Sequence, residues 1–381
     1  MHFALTEDQL AVRDMARAFA AERIAPHALE WDERRHLPID VIREAAGLGI
    51  GGIYIRDDVG GSAMTRFDAA LIFEALAQGC AAVSSFISIH NMAAWMIDAY
   101  GSDEQRRKWL PRLCTMDLVA SYCLTEPGAG SDAAALRTRA VREGDHYVVN
   151  GQKQFISGAG ANDLYVVMVR TGGDGAGGVS TLVVDKDTPG VSFGANERKM
   201  GWNAQPTRAV IFDNARVPVA NRLGDEGIGF KIAMAGLDGG RLNIAACSLG
   251  GAQSALDKSL AYMKERKAFG KRLDEFQALQ FKIADMATEL EAARTFLWRA
   301  AAALDRKDAD ATMLCAMAKR FVTDTGFEVA NGALQLHGGY GYLAEYGVEK
   351  IVRDLRVHQI LEGTNEIMRL IVSRKLIEAA R

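Results

Sequence analysis

Near the C-terminus the run Gln359-Ile360-Leu361-Glu362-Gly363-Thr364-Asn365-Glu366 puts a carboxylate on a turn, with apolar residues before it and a glycine after it. Ile367, Leu370 and Ile371 then repeat at helical spacing, which predicts a helix over 364–380 capped by Thr364 or Asn365. Glu362 falls just outside that helix, where its side chain can reach into a cleft. Gly363, lacking a Cβ, lets a ligand or a second backbone come close. Partial enclosure by Ile360 and Leu361 disfavours the charged carboxylate and raises its pKa, which suits a general base. A helix dipole equally favours an ordinary surface acid at such a place, so the turn alone leaves both roles open.

Other groups offer weaker chemistry. Gly128-Ala129-Gly130-Ser131-Asp132-Ala133 follows a strand-like run, Val119–Leu124, but the helix that could follow is too short for a parallel crossover. Its backbone N–H groups, with the Thr125 and Ser131 hydroxyls, still make a donor surface for carbonyl or phosphate oxygens. Gly47 to Gly52 and Gly173 to Gly178 fit G-x-G-x-x-G formally, yet neither lies between a strand and a helix, so both read as turns. Arg241, after Gly239-Gly240 and ahead of a helical stretch, suits either an ion pair or a phosphate. Arg266-Lys267-Ala268-Phe269-Gly270-Lys271 reads as a basic helix C-cap or a pyrophosphate clamp. Gln335-Leu336-His337-Gly338-Gly339-Tyr340-Gly341-Tyr342 ends a helix in a glycine turn with exposed aromatics. His358 and Glu362 are four apart, but no third ligand stands at metal spacing and H-E-x-x-H is absent, so no metal site is expected. There is no G-x-S-x-G and no cysteine in an activating context.

The elements that must carry these residues change character twice. Amphipathic, alanine-rich stretches around 6–30, 38–48, 65–80, 85–99 and 103–113 predict helices, the first opening on a capping signal at Thr6. From Val119 to about Val219 the apolar runs are short and β-branched: His146–Asn150, Leu164–Arg170, Thr181–Asp185 and Ala209–Phe212. Asn150-Gly151 is expected as a two-residue hairpin turn, and Gly172 to Gly178 as a hairpin tip. Long helices return at 228–264, 276–304, 307–334 and 364–380. The expectation is a mainly α, α+β fold: an N-terminal helical domain over 1–118, an antiparallel β domain over 119–226 and a C-terminal four-helix bundle over 227–381.

At 381 residues, two or three domains are expected. With 49% hydrophobic and 24% charged residues the profile is that of a soluble globular protein. A net charge of −3, a pI near 6.2 and no dense cationic cluster argue against nucleic acid as a partner. The five cysteines, odd in number and scattered, read as buried thiols of a reducing compartment. No apolar run reaches the roughly 18 residues of a membrane span. The acid-rich first helix fits neither a transit nor a signal peptide, so a cytoplasmic chain, complete from that helix, is expected.

The order of the motifs adds what none does singly. Tyr122-Cys123-Leu124-Thr125-Glu126-Pro127-Gly128-Ala129-Gly130-Ser131-Asp132 resembles the flavin-binding signature of the acyl-CoA dehydrogenases. Phe155-Ile156-Ser157, Arg266 to Gly270, Gln335 to Gly341 and Glu362-Gly363-Thr364 resemble further family segments, in family order, over about Leu5 to Leu376. Many relatives have tryptophan where Phe155 stands. That phenylalanine, with Gly201 to Arg208 and Leu237 to Arg241, is similar to the branch acting on isobutyryl-CoA.

The resemblance implies FAD between the β domain and the C-terminal helices, in a homotetramer built as a dimer of dimers. Tyr122, Leu124, Thr125, Gly130, Ser131, Phe155, Ile156 and Ser157 would hold the isoalloxazine and ribityl chain. Arg266, Phe269, Phe276, Gln277, Gln335, Leu336, Gly338 and Gly339 would reach the adenine-diphosphate end, partly from a neighbouring subunit, and Thr364 and Glu366 would complete the site. Ser131, Asp238, Arg241, Gly363 and Arg374 would line the acyl-CoA path. Glu362 would remove the α-proton of the thioester while the β-hydrogen leaves as hydride to the flavin. The developing enolate oxygen would take the Glu362 N–H and a ribityl hydroxyl, one such donor being worth roughly 3–4 kcal/mol. Relatives that carry the base beside the Gly-Arg pair would use the position of Gly240, which cannot serve. The implied reaction is isobutyryl-CoA to methacrylyl-CoA in valine catabolism, with electron-transferring flavoprotein as acceptor. Butyryl-CoA or 2-methylbutyryl-CoA as substrate, and an acyl-CoA oxidase, are the alternatives.

Overall fold

The computed structural model describes residues 4–380. Six helices come first: α1 (Glu7–Phe19), α2 (Ala28–Arg34), α3 (Ile39–Ala46), α4 (Arg66–Gly79), α5 (Ala81–Tyr100) and α6 (Asp103–Cys114). Local sequence explains their starts. Thr6, Thr65 and Ser102 each accept a hydrogen bond from the N–H three residues on, while Gln9, Asp68 and Gln105 return the bond, three complete capping boxes. α4 and α5 are buried over most of their surface and form the inner layer.

A sheet of eight strands follows: β1 (Ala120–Cys123), β2 (Arg139–Glu143), β3 (His146–Ser157), β4 (Leu164–Arg170), β5 (Val179–Asp185), β6 (Val191–Phe193), β7 (Thr207–Pro218) and β8 (Arg222–Leu223). The order is β6-β7-β3-β2-β4-β5-β8, with β1 paired to β4. Most pairs are antiparallel, but β1 runs parallel to β4 and β2 meets β4 in parallel at Arg139. The long excursion from β1 through the β2–β3 hairpin back to β4 gives the chain room to enter twice in one direction. Tyr147, Val149, Tyr165, Val167, Leu182 and Val210 form a separate core on one face of this sheet.

Asn150-Gly151 is not a hairpin turn. It lies inside β3 at a break in register between Val149 and Gly151, where φ of Gly151 is +143° and a Cβ would stand 2.6 Å from the Thr138 hydroxyl. Asn150 instead ties β3 to β7, its Oδ1 accepting from Asn214 N at 2.8 Å. The glycine is needed for a bulge that bends the strand. The Gly172–Gly178 loop does join antiparallel β4 and β5.

Helices then resume: α7 (Gly229–Glu265), a small hairpin of β9 (Lys267–Ala268) and β10 (Lys271–Arg272), α8 (Gln277–Arg306), α9 (Ala311–His337), α10 (Val348–Arg356) and α11 (Asn365–Ala379). α7 is the hub, packed against α4, α5, α8 and α9 and buried for most of its length. Gly239-Gly240-Arg241 lies within α7 and not ahead of a helix. Arg266 is the C-cap of α7, but Lys267 to Arg272 form the hairpin, with Phe269 and Gly270 both at positive φ on its tip.

Candidate active site

Glu362 follows a tight 3-10 turn over Val357–Gln359 and adopts φ +58°, with Gly363 at +89°. Left-handed backbone is unfavourable for a side-chain-bearing residue, so the surroundings must hold it. Thr364 caps α11 by accepting from Ile367 N at 3.3 Å, whereas Asn365 is buried and bonded to α9. Two cations grip the turn: Arg241 Nε donates to the Glu362 carbonyl at 3.3 Å and Lys319 Nζ to the Gly363 carbonyl at 2.8 Å. The Glu362 N–H has no backbone acceptor among the described residues.

The carboxylate points inward. Its Oε2 is enclosed and has no hydrogen-bond partner among the described residues. Burial pushes its pKa up to about 7, against the pull of Arg241 and Lys319. Gly240 makes the room, since a Cβ there would lie 2.5 Å from Oε2 and 2.8 Å from the Met92 sulfur. The neighbouring Gly239 faces Arg66 in the same way, at 2.5 Å from Nη1. Arg66 is 9% exposed, stacks on Tyr54 at 3.6 Å and on Trp95 at 4.9 Å, and its Nη1 has no hydrogen-bond partner among the described residues. The charges of Arg66 and Glu362 both reach Tyr54, and that of Glu362 also reaches the Tyr122 hydroxyl, which is enclosed and has no hydrogen-bond partner among the described residues. Asp238 holds Arg241 at 2.7 Å and accepts from Thr312 at 2.7 Å. A half-buried carboxylate with one oxygen shut away and its pKa raised by burial, facing Met92, can remove a weakly acidic C–H proton.

Beside this space lies the expected cofactor surface. Thr125 O accepts from Gln154 N at 2.8 Å, which fastens the loop carrying Thr125, Gly130 and Ser131 to the end of β3. Beneath it a buried Lys153–Glu126 pair at 2.7 Å also binds Leu124 O, and Glu126 takes the Arg137 and Thr138 N–H groups. Phe155, at φ +59°, is 63% exposed, while Ile156 beside it is buried and Ser157 half-buried. A Cβ at Gly128 or Gly130 would meet nothing within 4 Å, so the loop leaves its outer face open. A flat aromatic tricycle with hydroxyls fits this surface: an unsatisfied Tyr122 hydroxyl, an exposed aromatic held in a strained backbone, and an open donor loop.

The remaining expected residues divide in two. Thr364 and exposed Glu366 adjoin Glu362, and Arg374 is exposed roughly 15 Å further along α11 at 1.5 Å per residue. Arg266, Gln335, Leu336, Gly338 and Gly339 line a surface cavity of about 420 Å³, with Arg266 over the Tyr340 ring at 5.1 Å. Phe269, 96% exposed, stands 6.4 Å from Phe276, the N-cap of α8 that precedes Gln277. This second group lies at the far end of α7 from Gly240, roughly 38 Å away along the helix.

Lys319, Tyr54, Arg66, Met92 and Trp95 escape the sequence reading. Lys319 had a readable signal, because it falls on the same stripe of α9 as Cys315, Ala316, Val322 and Thr323, where a lysine is out of place. His358, paired by spacing with Glu362, is instead a structural group. It accepts from Trp202 Nε1 at 3.1 Å on Nε2, which puts its own proton on Nδ1 toward Ser248 Oγ at 2.6 Å. All five cysteines are buried and unpaired. No helix among the described residues is long and apolar enough to cross a membrane.

Residues 6–117, 121–215 and 227–377 match the N-terminal, middle and C-terminal domain families of the acyl-CoA dehydrogenases. Over 374 residues the chain is 56% identical to the mitochondrial isobutyryl-CoA dehydrogenase of Bos taurus, a match covering 98% of this chain and 90% of that one. Butyryl-CoA dehydrogenase from Megasphaera elsdenii superposes with a TM-score of 0.96 at 37% identity, over 99% of this chain and 100% of the other. A chain from a structural study of the electron transferring flavoprotein of Acidaminococcus fermentans gives 0.96 at 40% identity, over 99% of both.

Proposed function

Because the chain belongs to the acyl-CoA dehydrogenase family and is an acyl-CoA dehydrogenase, we propose that it oxidises isobutyryl-CoA to methacrylyl-CoA with Glu362 as base. FAD would be the cofactor and electron-transferring flavoprotein the acceptor, a step of valine breakdown. The observation that carries this is Glu362 Oε2, enclosed, without a hydrogen-bond partner among the described residues and housed in the gap left by Gly240. Among the described residues, the atoms nearest that gap belong to Glu362 and Met92.

Glu362 takes the α-proton onto its carboxylate. Its own N–H, without a backbone acceptor, is available to the thioester carbonyl oxygen, where enolate charge develops. Arg241 holds the Glu362 carbonyl and so steadies the turn that carries that N–H, while Asp238 keeps Arg241 in place. When bound against Tyr122, the Thr125–Ser131 loop and Phe155, FAD supplies the acceptor for the β-hydrogen. Acyl-CoA itself would displace water from around the carboxylate and strengthen these interactions. Ser131, Gly363 and Arg374 are assigned to the acyl-CoA path by resemblance, with Arg374 outermost.

Two features support a short acyl group. The relative from Bos taurus bears the isobutyryl name, and Arg66, stacked on Tyr54 and Trp95, closes the space beyond Gly239. The roughly 38 Å between Gly240 and Arg266 exceeds the reach of one FAD, so the Arg266–Gly339 group and Phe269 would serve the cofactor of a neighbouring copy. That supports an assembly of more than one copy, and the homotetramer rests on the family resemblance. The match to a chain studied with an electron transferring flavoprotein supports that acceptor. Five buried, unpaired thiols support a reducing compartment, and the cytoplasm is the reading carried forward.

Purified protein is expected to be yellow and to carry one FAD per chain. Comparing kcat/KM for isobutyryl-, butyryl-, 2-methylbutyryl- and isovaleryl-CoA should rank isobutyryl-CoA first; another order overturns the substrate, and protein unable to take up FAD overturns the whole reading. Turnover with oxygen matching that with electron-transferring flavoprotein would mark an oxidase.

A further inference from the structure

Lys319 is a fully buried lysine with no carboxylate within salt-bridge distance among the described residues. Its Nζ donates to two neutral oxygens, Gly363 O and Asn365 Oδ1, each at 2.8 Å. Asn365 is locked in turn, donating to Thr323 Oγ1 at 3.0 Å and Asp324 Oδ1 at 2.7 Å. Burying an ammonium is costly, and a packed apolar residue would fill this position of α9 more cheaply. What the lysine gains is control of a turn whose backbone does not stay left-handed unaided.

We propose that Lys319 is a positioning residue for proton abstraction: from α9 its ammonium clamps the Gly363 carbonyl and Asn365, holds Glu362 in its left-handed turn, and joins Arg241 in setting the charge around the carboxylate. This rests on the reading of Glu362 as the base. Arg241 grips the preceding carbonyl from α7, so successive carbonyls of one turn are pinned by cations on two different helices. The charged groups that bear most on Lys319 belong to this neighbourhood. Glu362 lies on the turn, Arg241 with its partner Asp238 on α7, Arg320 and Asp324 on α9, Glu366 on α11, and His358 beyond is neutral. Burial pulls the lysine down to about 7, while the facing Glu362 raises it. Each of the two groups therefore favours the charged form of the other. Removing the cation makes the carboxylate harder to ionise; removing the clamp lets it swing.

The test uses holoenzyme carrying Lys319→Met, Lys319→Gln or Lys319→Arg, read by FAD content, Tm, kcat and KM for isobutyryl-CoA across pH, and solvent-deuterium wash-in at the substrate α-carbon. Lys319→Met should keep FAD and lose about 100-fold in kcat, as a misplaced reacting group does, with KM changed much less. Its acid limb in kcat/KM should move up by about one pH unit, the loss of a nearby opposite charge, and wash-in should slow with kcat. Lys319→Arg should recover at least about tenfold of that kcat and return the limb to its wild-type pH, since guanidinium keeps charge and donors. Lys319→Gln, a donor without charge, should keep the displaced limb. A folded Lys319→Met with wild-type kcat and an unmoved limb overturns the proposal. Equal losses in all three variants with the limb unmoved do the same, leaving a structural lysine. Should Lys319→Met not fold, the Arg and Gln variants decide by the limb alone. Glu362→Gln, run alongside, separates the two ideas: if it stays active the base is wrong, and if it alone is inactive only the lysine's role falls.

Discussion

Gly240→Ala tests the geometry of the site with a single methyl group. The new Cβ would stand 2.5 Å from Glu362 Oε2 and 2.8 Å from the Met92 sulfur, where ordinary contact begins at 3.4 Å. Met92 can swing away, but the carboxylate must retreat by about 1 Å, and a displacement of that size at a reacting group costs roughly 100-fold in rate. That is about 2.7 kcal/mol of barrier. Stability should move little. Alanine is better than glycine inside a helix by about 1 kcal/mol, which offsets crowding of about 1–3 kcal/mol in a packed core. The assay pairs kcat for isobutyryl-CoA with Tm and FAD content. A kcat that falls about 100-fold while Tm shifts by only a few degrees and flavin stays bound is the expected result. Wild-type kcat in a folded Gly240→Ala would refute the placement of Glu362, whatever its chemistry.

Other consequences follow from the same contacts. Burial raises the folded pKa of Glu362 to about 7 from 4.5, so its charging opposes folding. Stability from this group is full below about pH 4.5 and is lost as pH rises through 7. Glu362→Gln should therefore raise stability at pH 8 by about 3 kcal/mol, and the gain should vanish near pH 4.5 in a pH series of thermal melts. Phe155→Gly removes an exposed ring from a backbone at φ +59°, relieving about 1 kcal/mol of strain. The apoprotein Tm should hold or rise while FAD binds at least about tenfold more weakly by titration, the ring's stacking contact being lost. Arg66→Ala opens the space beyond Gly239. The ratio of kcat/KM for hexanoyl-CoA over isobutyryl-CoA should rise about tenfold, the scale of one or two methylenes.

What could be read from the sequence was local. Thr6 with Gln9 announces a helix start through adjacent groups alone, and that capping box is present. The Glu362 turn and the α11 cap at Thr364 were likewise legible, because glycine, apolar spacing and a hydroxyl act within a few residues. Asn150-Gly151 misleads because its dipeptide serves a hairpin turn or a bulge, and only pairing with Thr138 and Asn214, far off in sequence, selects the bulge. The hairpin of Lys267 to Arg272 was hidden by its cations, which equally suit a helix end. Lys319 and Arg66 acquire meaning only through partners on other helices, 44 residues away for Lys319 and Gly363. Gly240 was legible as a residue unable to act, but its fit to Oε2 required three dimensions.

Flavin reduction reports most directly whether Glu362 takes the proton. Wild-type enzyme and Glu362→Gln, both loaded with FAD, should be mixed anaerobically with isobutyryl-CoA at pH 8 and followed at the flavin absorbance near 450 nm. The wild type should bleach rapidly, and the variant should bind substrate yet bleach at least about 10³-fold more slowly, the range of a lost general base. Bleaching of Glu362→Gln at a rate close to wild type would contradict it.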